Sequence, residues 1–137
     1  MENSLHRVIL ETHSISPLFR INLVDFTHFG TWTSEKTGNT SKVKLLIKGS
    51  KVSDLGFSCQ GSALSQACSS IMCSQIKEMN FSDIHLLANE IINFVESGTI
   101  CKLPGDLIVY ETISRFPERL DCSLLSWRAL VIALSEN

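Results

Sequence analysis

The amino-acid sequence predicts an α+β fold, a small three-stranded antiparallel sheet with helices packed on one face. Three observations carry that prediction. Aromatic and β-branched residues alternate with polar ones in stretches between Val24 and Cys59, the pattern of half-buried strands. From Ser62 onward the apolar period lengthens to about three and a half residues, the repeat of an amphipathic helix. Strands and helices are grouped rather than interleaved, which favours an antiparallel sheet over parallel βαβ units.

The elements follow in order. Leu5 to Leu10 has apolar residues at helical spacing, and Pro17 ends that helix or follows it closely. Val24 to Phe29 reads as a first strand. Thr33 to Ser41, with Gly38 and Asn39, reads as an exposed polar loop. Val43 to Lys48 and Lys51 to Cys59 read as two strands joined at Gly49-Ser50 in an antiparallel hairpin. Leu64, Ala67, Cys68, Ile71, Met72 and Ile76 share a face of the helix that starts at Ser62. A second helix is predicted over Ser82 to Ser97, with Gly98 as its C-cap. Leu103-Pro104-Gly105 breaks the chain, Leu107 to Phe116 is helical, Pro117 interrupts it, and a last helix runs from Arg119 to Leu134.

The 137 residues suit a single domain spanning 1–137. A chain of this size buries roughly two-thirds of its unfolded surface and needs no disulfide to fold. The net charge of −2 is spread along the sequence without a basic stripe, so no nucleic-acid partner is expected. The longest apolar run, Ala129 to Leu134, is far short of the ~20 residues of a membrane span. The first residues precede no long apolar stretch, so the expected location is cytoplasmic. There is no Gly-rich phosphate loop and no G-x-S-x-G, and the sequence reads as a non-enzyme.

The cysteines are Cys59, Cys68, Cys73, Cys101 and Cys122, an odd number with no C-x-x-C pair. That argues against a disulfide framework or a zinc ribbon, and each thiol reads first as a small buried apolar side chain. His6, His13, His28 and His85 are widely separated and read as surface or capping residues. Glu90 and Glu96 read as a solvated helix face.

The stretch Phe116-Pro117-Glu118-Arg119-Leu120-Asp121-Cys122-Ser123-Leu124-Leu125-Ser126-Trp127-Arg128-Ala129-Leu130 resembles the pattern F-P-x-R-I-K-C-A-x-L-x-W-x-A-L of the SufU branch of U-type iron–sulfur cluster scaffolds. Val52, Asp54, Phe57, Gly61, Ala63, Leu64, Ser65 and Ala67 are similar to the family's I-x-D-x-x-F-x-G-x-G-C-A-I-S-x-A, with Ser62 at its cysteine and Cys59 at a usual glycine. Counting back from Val52 sets Thr37-Gly38-Asn39 on the family's C-G-D loop, the cysteine replaced by Thr37 and the aspartate by Asn39. His13 and Pro17 agree in spacing with a D-H-Y-x-x-P-R-N start. The resemblance spans nearly the whole chain and implies the SufE/NifU-like fold of the NifU N-terminal domain, IscU and SufU group, as a divergent member with two of three ligand cysteines replaced.

The resemblance implies a scaffold-like protein of iron–sulfur cluster assembly with reduced or altered metal binding. Its partners would be a cysteine desulfurase and apoprotein clients. Its cargo would be a [2Fe–2S] cluster or zinc held weakly, or no metal at all. Cys122 is the one thiol on a family ligand position, with Thr37, Asn39 and Ser62 at the others. Hydroxyls and an amide are poor substitutes for thiolates and a carboxylate at such a site. Cys59 restores a second thiolate if its side chain points at the same pocket, and is otherwise a core thiol. Cys122 is also the position that accepts a persulfide in the family. A helix start and Arg119 favour a thiolate there, and Asp121 opposes it. The alternative reading is a protein-interaction or regulatory module that kept the fold and lost the cluster. A third is a sulfur-transfer accessory using one thiol.

Overall fold

The structure is a computed structural model describing residues 4–135; residues 1–3 and 136–137, included in the single-domain reading, lie outside it. Helix α1, Ser4–Ile15, comes first, then strands β1, His28–Thr33, β2, Thr40–Lys48, and β3, Lys51–Gln60. Helices α2, Ala63–Ile76, and α3, Phe81–Ser97, follow. After a 3-10 turn at Gly105–Val109 come α4, Tyr110–Ile113, a second 3-10 turn at Pro117–Arg119, and α5, Leu120–Ser135. The predicted Leu107 to Phe116 helix is thus two short pieces, and the last helix starts one residue later than predicted.

The strands form an antiparallel sheet in the order β1-β2-β3. The hairpin turns at Gly49-Ser50 as expected. Gly49 takes φ +64°, a left-handed conformation suited to a two-residue turn between right-twisted strands.

The first strand differs from its prediction. Its ladder runs from His28 opposite Leu45 to Thr33 opposite Thr40, four residues beyond the expected start at Val24. Val24 is exposed, and Phe26 folds over the outer surface, its ring 6.2 Å from that of Phe29 and under the Lys44 ammonium. Its aromatic alternation mimics a strand, but only the residues from His28 onward find ladder partners. For the same reason Thr33, Thr40 and Ser41 belong to strands, and the loop shrinks to 34–39, exposed over 35–38 with Ser34 buried.

The register sorts the two faces. His28, Gly30 and Trp32 align across the sheet with Leu45, Val43 and Ser41, and these with Leu55, Phe57 and Cys59. That face looks onto the helices: α5 lies across β1 and β2, α2 against β3, α3 against α5, and α1 against α2. Gly30 permits the closest approach, since a Cβ there would lie 2.1 Å from the Ala129 carbonyl oxygen and 2.5 Å from the Ala133 nitrogen. Trp127, Tyr110 and Phe57 are the largest side chains of the core between the layers.

The histidines overturn their surface reading. His6, His13 and His28 are buried. His6 Nδ1 is 2.7 Å from Thr112 Oγ1. His13 bridges Ser70 Oγ at 2.7 Å and Asp106 at 2.9 Å, tying α1 to α2 and to the turn before α4. Thr112, Ser70 and Asp106 lie 57 or more residues from the histidines they meet, which local spacing cannot reveal. Glu96 of the solvated face pairs with Arg128 of α5.

Candidate functional site

The end of the sheet where β1 ends, β2 starts and β3 ends meets the N-termini of α2 and α5. Three contacts fix how α5 crosses it. Ala129 and Ala133 lie over Gly30. One turn nearer the helix start, Ser126 Oγ is 2.6 Å from Ser41 Oγ. At the start, Ser34 Oγ donates to Asp121 at 2.6 Å. Cys122 therefore sits in the first turn of α5, level with the loop 34–39 and the end of β3.

That loop is held by its own backbone. Gly38 N–H donates to Ser34 O at 2.9 Å and Ser34 N–H to Asn39 O at 2.8 Å. Thr37 is exposed, and its Oγ1 accepts the Asn39 N–H at 3.1 Å. The Asn39 side chain lies over Gly61, where an added Cβ would be 3.4 Å from its Cγ and Nδ2. Ser62 follows as the N-cap of α2, its Oγ accepting the Ser65 N–H at 3.2 Å. The positions singled out in sequence, Thr37, Asn39, Ser62 and Cys122, thus come to one end of the molecule.

Cys59 belongs to the same end. It faces the helices, half-buried, and its thiol lies 3.5 Å from Ser65 Oγ. Burial pushes the Cys59 thiol up, the Ser65 and Ser69 hydroxyls pull it partly back, and the charge of a Cys122 thiolate raises it further. Cys122 is also half-buried. Cys68 and Cys73 are core thiols, Cys68 as its helix face predicted and Cys73 in line with the reading of each thiol as a small buried apolar side chain. Burial drives Cys68 up to about 12 and Cys73 higher still. Cys101 lies apart; burial first, then the Glu90 carboxylate, raises it.

Beneath the two half-buried thiols lies a cluster of hydroxyls that the sequence reading did not assemble. Ser126 Oγ bonds both Ser41 and Ser69, and Ser69 Oγ also reaches the Ser65 carbonyl at 2.7 Å. Ser41, Ser65, Ser69 and Ser126 are all buried. The available signal was serine at positions four apart on α2, Ser65 and Ser69, on a face otherwise apolar.

The donor set can be judged on its chemistry. Among the described residues no group of three His, Cys, Asp or Glu side chains is gathered to hold a metal ion. The Ser62 and Thr37 hydroxyls are taken by local backbone N–H groups. Cys59 and Cys122 offer two soft donors, so these residues alone do not complete a four-ligand thiolate site. No described helix is long and apolar enough to cross a membrane.

Comparison with known proteins agrees with this architecture. The chain is 27% identical over 96 residues to the zinc-dependent sulfurtransferase SufU of Bacillus subtilis (strain 168), a match covering 68% of this chain and 65% of that protein. It thus spans slightly less than two-thirds of that relative's length. It is 23% identical to the iron–sulfur cluster assembly scaffold protein IscU of Streptococcus pyogenes serotype M1, over 98% of this chain and 86% of that one. Among solved structures, a protein assigned as a SUF-system cluster assembly scaffold in Fervidobacterium islandicum AW-1 superposes with a TM-score of 0.84 at 23% identity, covering 93% of this chain and 94% of that one. The N-terminal part of a NifU-like protein from Brucella abortus gives 0.79 at 19% identity, over 92% and 88% of the two chains. These structural likenesses establish the α+β fold with its three-stranded antiparallel sheet. The family described as NifU-like N terminal domain matches residues 13–136, and the chain therefore belongs to that NifU, IscU and SufU family of iron–sulfur cluster assembly scaffolds.

Proposed function

We propose that this chain is a sulfur-accepting, scaffold-like protein of iron–sulfur cluster assembly, with metal and cluster binding reduced relative to a three-cysteine scaffold. Cys122 is the acceptor thiol in this reading, and a cysteine desulfurase is the donor. The observation that carries it is the position of Cys122, half-buried in the first turn of α5 beside the loop 34–39 and the α2 N-terminus. Thr37, Asn39 and Ser62 occupy the remaining family ligand positions in this assignment. A nascent [2Fe–2S] cluster or zinc would then be cargo held by Cys122 and Cys59, completed by water or by a partner such as an apoprotein client.

A second reading is favoured by the local satisfaction of the Ser62 and Thr37 hydroxyls, which suits a protein-interaction module without a cluster. One experiment separates the two. The protein is incubated with a cysteine desulfurase and cysteine, persulfides are mapped by mass spectrometry, and a parallel sample is reconstituted anaerobically with iron and sulfide. Sulfur on Cys122, with little cluster retained after desalting, is the expected result. No sulfur on Cys122 together with no cluster leaves the interaction module. Stable stoichiometric cluster in the wild type overturns the reduced-binding part.

A further inference from the structure

The geometry points to Cys59 as the resolving thiol for Cys122, so that the chain reduces an accepted sulfane sulfur to sulfide by itself. The inference rests on the sulfur-acceptor reading and goes beyond it, because acceptance alone leaves the sulfur bound as a persulfide.

Two independent chains of contact bring these thiols to one end of the sheet. From the sheet, Cys59 is the cross-strand partner of Ser41, and cross-strand neighbours on one face stand about 5 Å apart. Ser41 Oγ is 2.6 Å from Ser126 Oγ, and Ser126 lies four residues, one helical turn, after Cys122 on the same face of α5. From the other side, Ser34 at the end of β1 grips Asp121, the residue before Cys122, at 2.6 Å. The first turn of α5 is thus pinned at both ends over the sheet margin that carries Cys59. The Cys59 thiol lies on the helix-facing side of that margin, 3.5 Å from Ser65 Oγ of α2. The other cysteines are poor competitors. Cys68 and Cys73 are fully buried in the core, and Cys101 lies beyond α3.

The chemistry balances without an added reductant in the resolving step. The Cys122 sulfur attacks the terminal sulfur of a sulfane donor, a protein persulfide or inorganic polysulfide. The donor S–S bond breaks, the donor thiol or shortened polysulfide leaves with its electron pair and the Cys122 proton, and Cys122–S–SH forms. The Cys59 sulfur attacks the inner sulfur, the one bonded to Cys122 Cβ. A Cys59–Cys122 S–S bond forms and the persulfide S–S bond breaks. Its electron pair leaves with the outer sulfur, which keeps its own proton, takes the one lost by Cys59 and departs as hydrogen sulfide. The two cysteine sulfurs are oxidised by two electrons and the sulfane sulfur is reduced by two. A dithiol reductant returns the disulfide to two thiols by exchange.

The test uses the full chain as wild type, Cys59→Ser, Cys59→Ala and Cys122→Ser, with far-UV circular dichroism confirming that each is folded. Each is treated anaerobically with one equivalent of inorganic polysulfide and sampled over time. Released sulfide is assayed, and thiols, persulfides and disulfides are mapped after alkylation. Wild type is expected to release sulfide and to yield a peptide pair joined by Cys59 and Cys122. Both Cys59 variants are expected to hold the extra sulfur on Cys122 at least about tenfold longer, since the intramolecular attacking thiol is gone. A Cys122 persulfide equally long-lived in wild type and in the Cys59 variants overturns the resolving role and leaves the acceptor reading intact. A disulfide from Cys122 to another cysteine does the same. Sulfur held on Cys59 in Cys122→Ser, with Cys122 unmodified in the Cys59 variants, overturns both assignments.

Discussion

Burial sets the character of individual thiols here more than sequence neighbours do. Cys68, 2% exposed, is driven up to about 12 from an ordinary value of 9.0 by loss of hydration, and Tyr110 offsets this only in part. The sign of the stability effect follows from linkage. Below pH 9 both folded and unfolded chains keep this thiol protonated, and its contribution is constant. Above that value the unfolded chain loses the proton while the folded chain keeps it, so stability falls as pH rises toward about 12. The slope is up to about 1.4 kcal/mol per pH unit for one such thiol. Cys68→Ala should lower stability near neutral pH through lost packing, yet fall less steeply above pH 9. Guanidinium unfolding midpoints at several alkaline pH values check this, and parallel slopes for variant and wild type would contradict it.

At the scale of the element, Ser62 has a defined structural task whatever its role toward a ligand. It sits in an extended conformation at φ −77°, ψ 168°, accepts the Ser65 N–H, and opens α2 directly after β3. Ser65 Oγ returns a bond to the Ser62 carbonyl at 2.8 Å, so the strand-to-helix junction is closed from both sides. Ser62→Ala should cost about 1 kcal/mol of global stability, and Ser62→Gly a few tenths of that. Chemical denaturation of the two variants measures the difference, and equal losses would remove the capping argument. The same bond bears on engineered ligands. Ser62→Cys gives up a good cap acceptor, so Thr37→Cys, Asn39→Asp and Ser62→Cys together should raise cluster retention while lowering the unfolding midpoint. Anaerobic reconstitution and thermal melting of the triple variant read the two effects separately.

The whole molecule depends on how closely α5 lies on the sheet, because that distance brings the first turn of α5 to the sheet margin. Gly30 controls it. A methyl group there meets backbone atoms of Ala129 and Ala133, which cannot rotate away as a side chain could. Gly30→Ala should therefore destabilise by about 3 kcal/mol and tilt α5 off β1. Gly38→Ala, in open space, should lose only what its φ of +78° demands, about 1 kcal/mol. Thermal unfolding of the pair distinguishes backbone collision from simple backbone strain. A Gly30→Ala chain as stable as Gly38→Ala would show that the layers separate at little cost.

Periodicity determined the local elements. The alternation of Val43 to Lys48 and Lys51 to Cys59 and the helical spacing after Ser62 are short-range consequences of which side chains must leave water, and both were legible along the chain. The resemblance around Cys122, Ser62 and Thr37 implied one shared end of the molecule, an expectation carried by the family's motifs and not by periodicity. Pairing decided the rest. The aromatic run from Val24 had no ladder partner, so the first strand began at His28. His13 became a buried tie because Ser70 and Asp106 arrive from other elements. Only the register of β2 against β3 turned Cys59 toward the helices, since a shift of one residue would have sent it to the opposite face. The hydroxyl cluster of Ser41, Ser69 and Ser126 likewise draws on β2, α2 and α5 at once. No pattern within one segment encodes such a meeting, because a buried hydroxyl is acceptable only once tertiary packing supplies its partner.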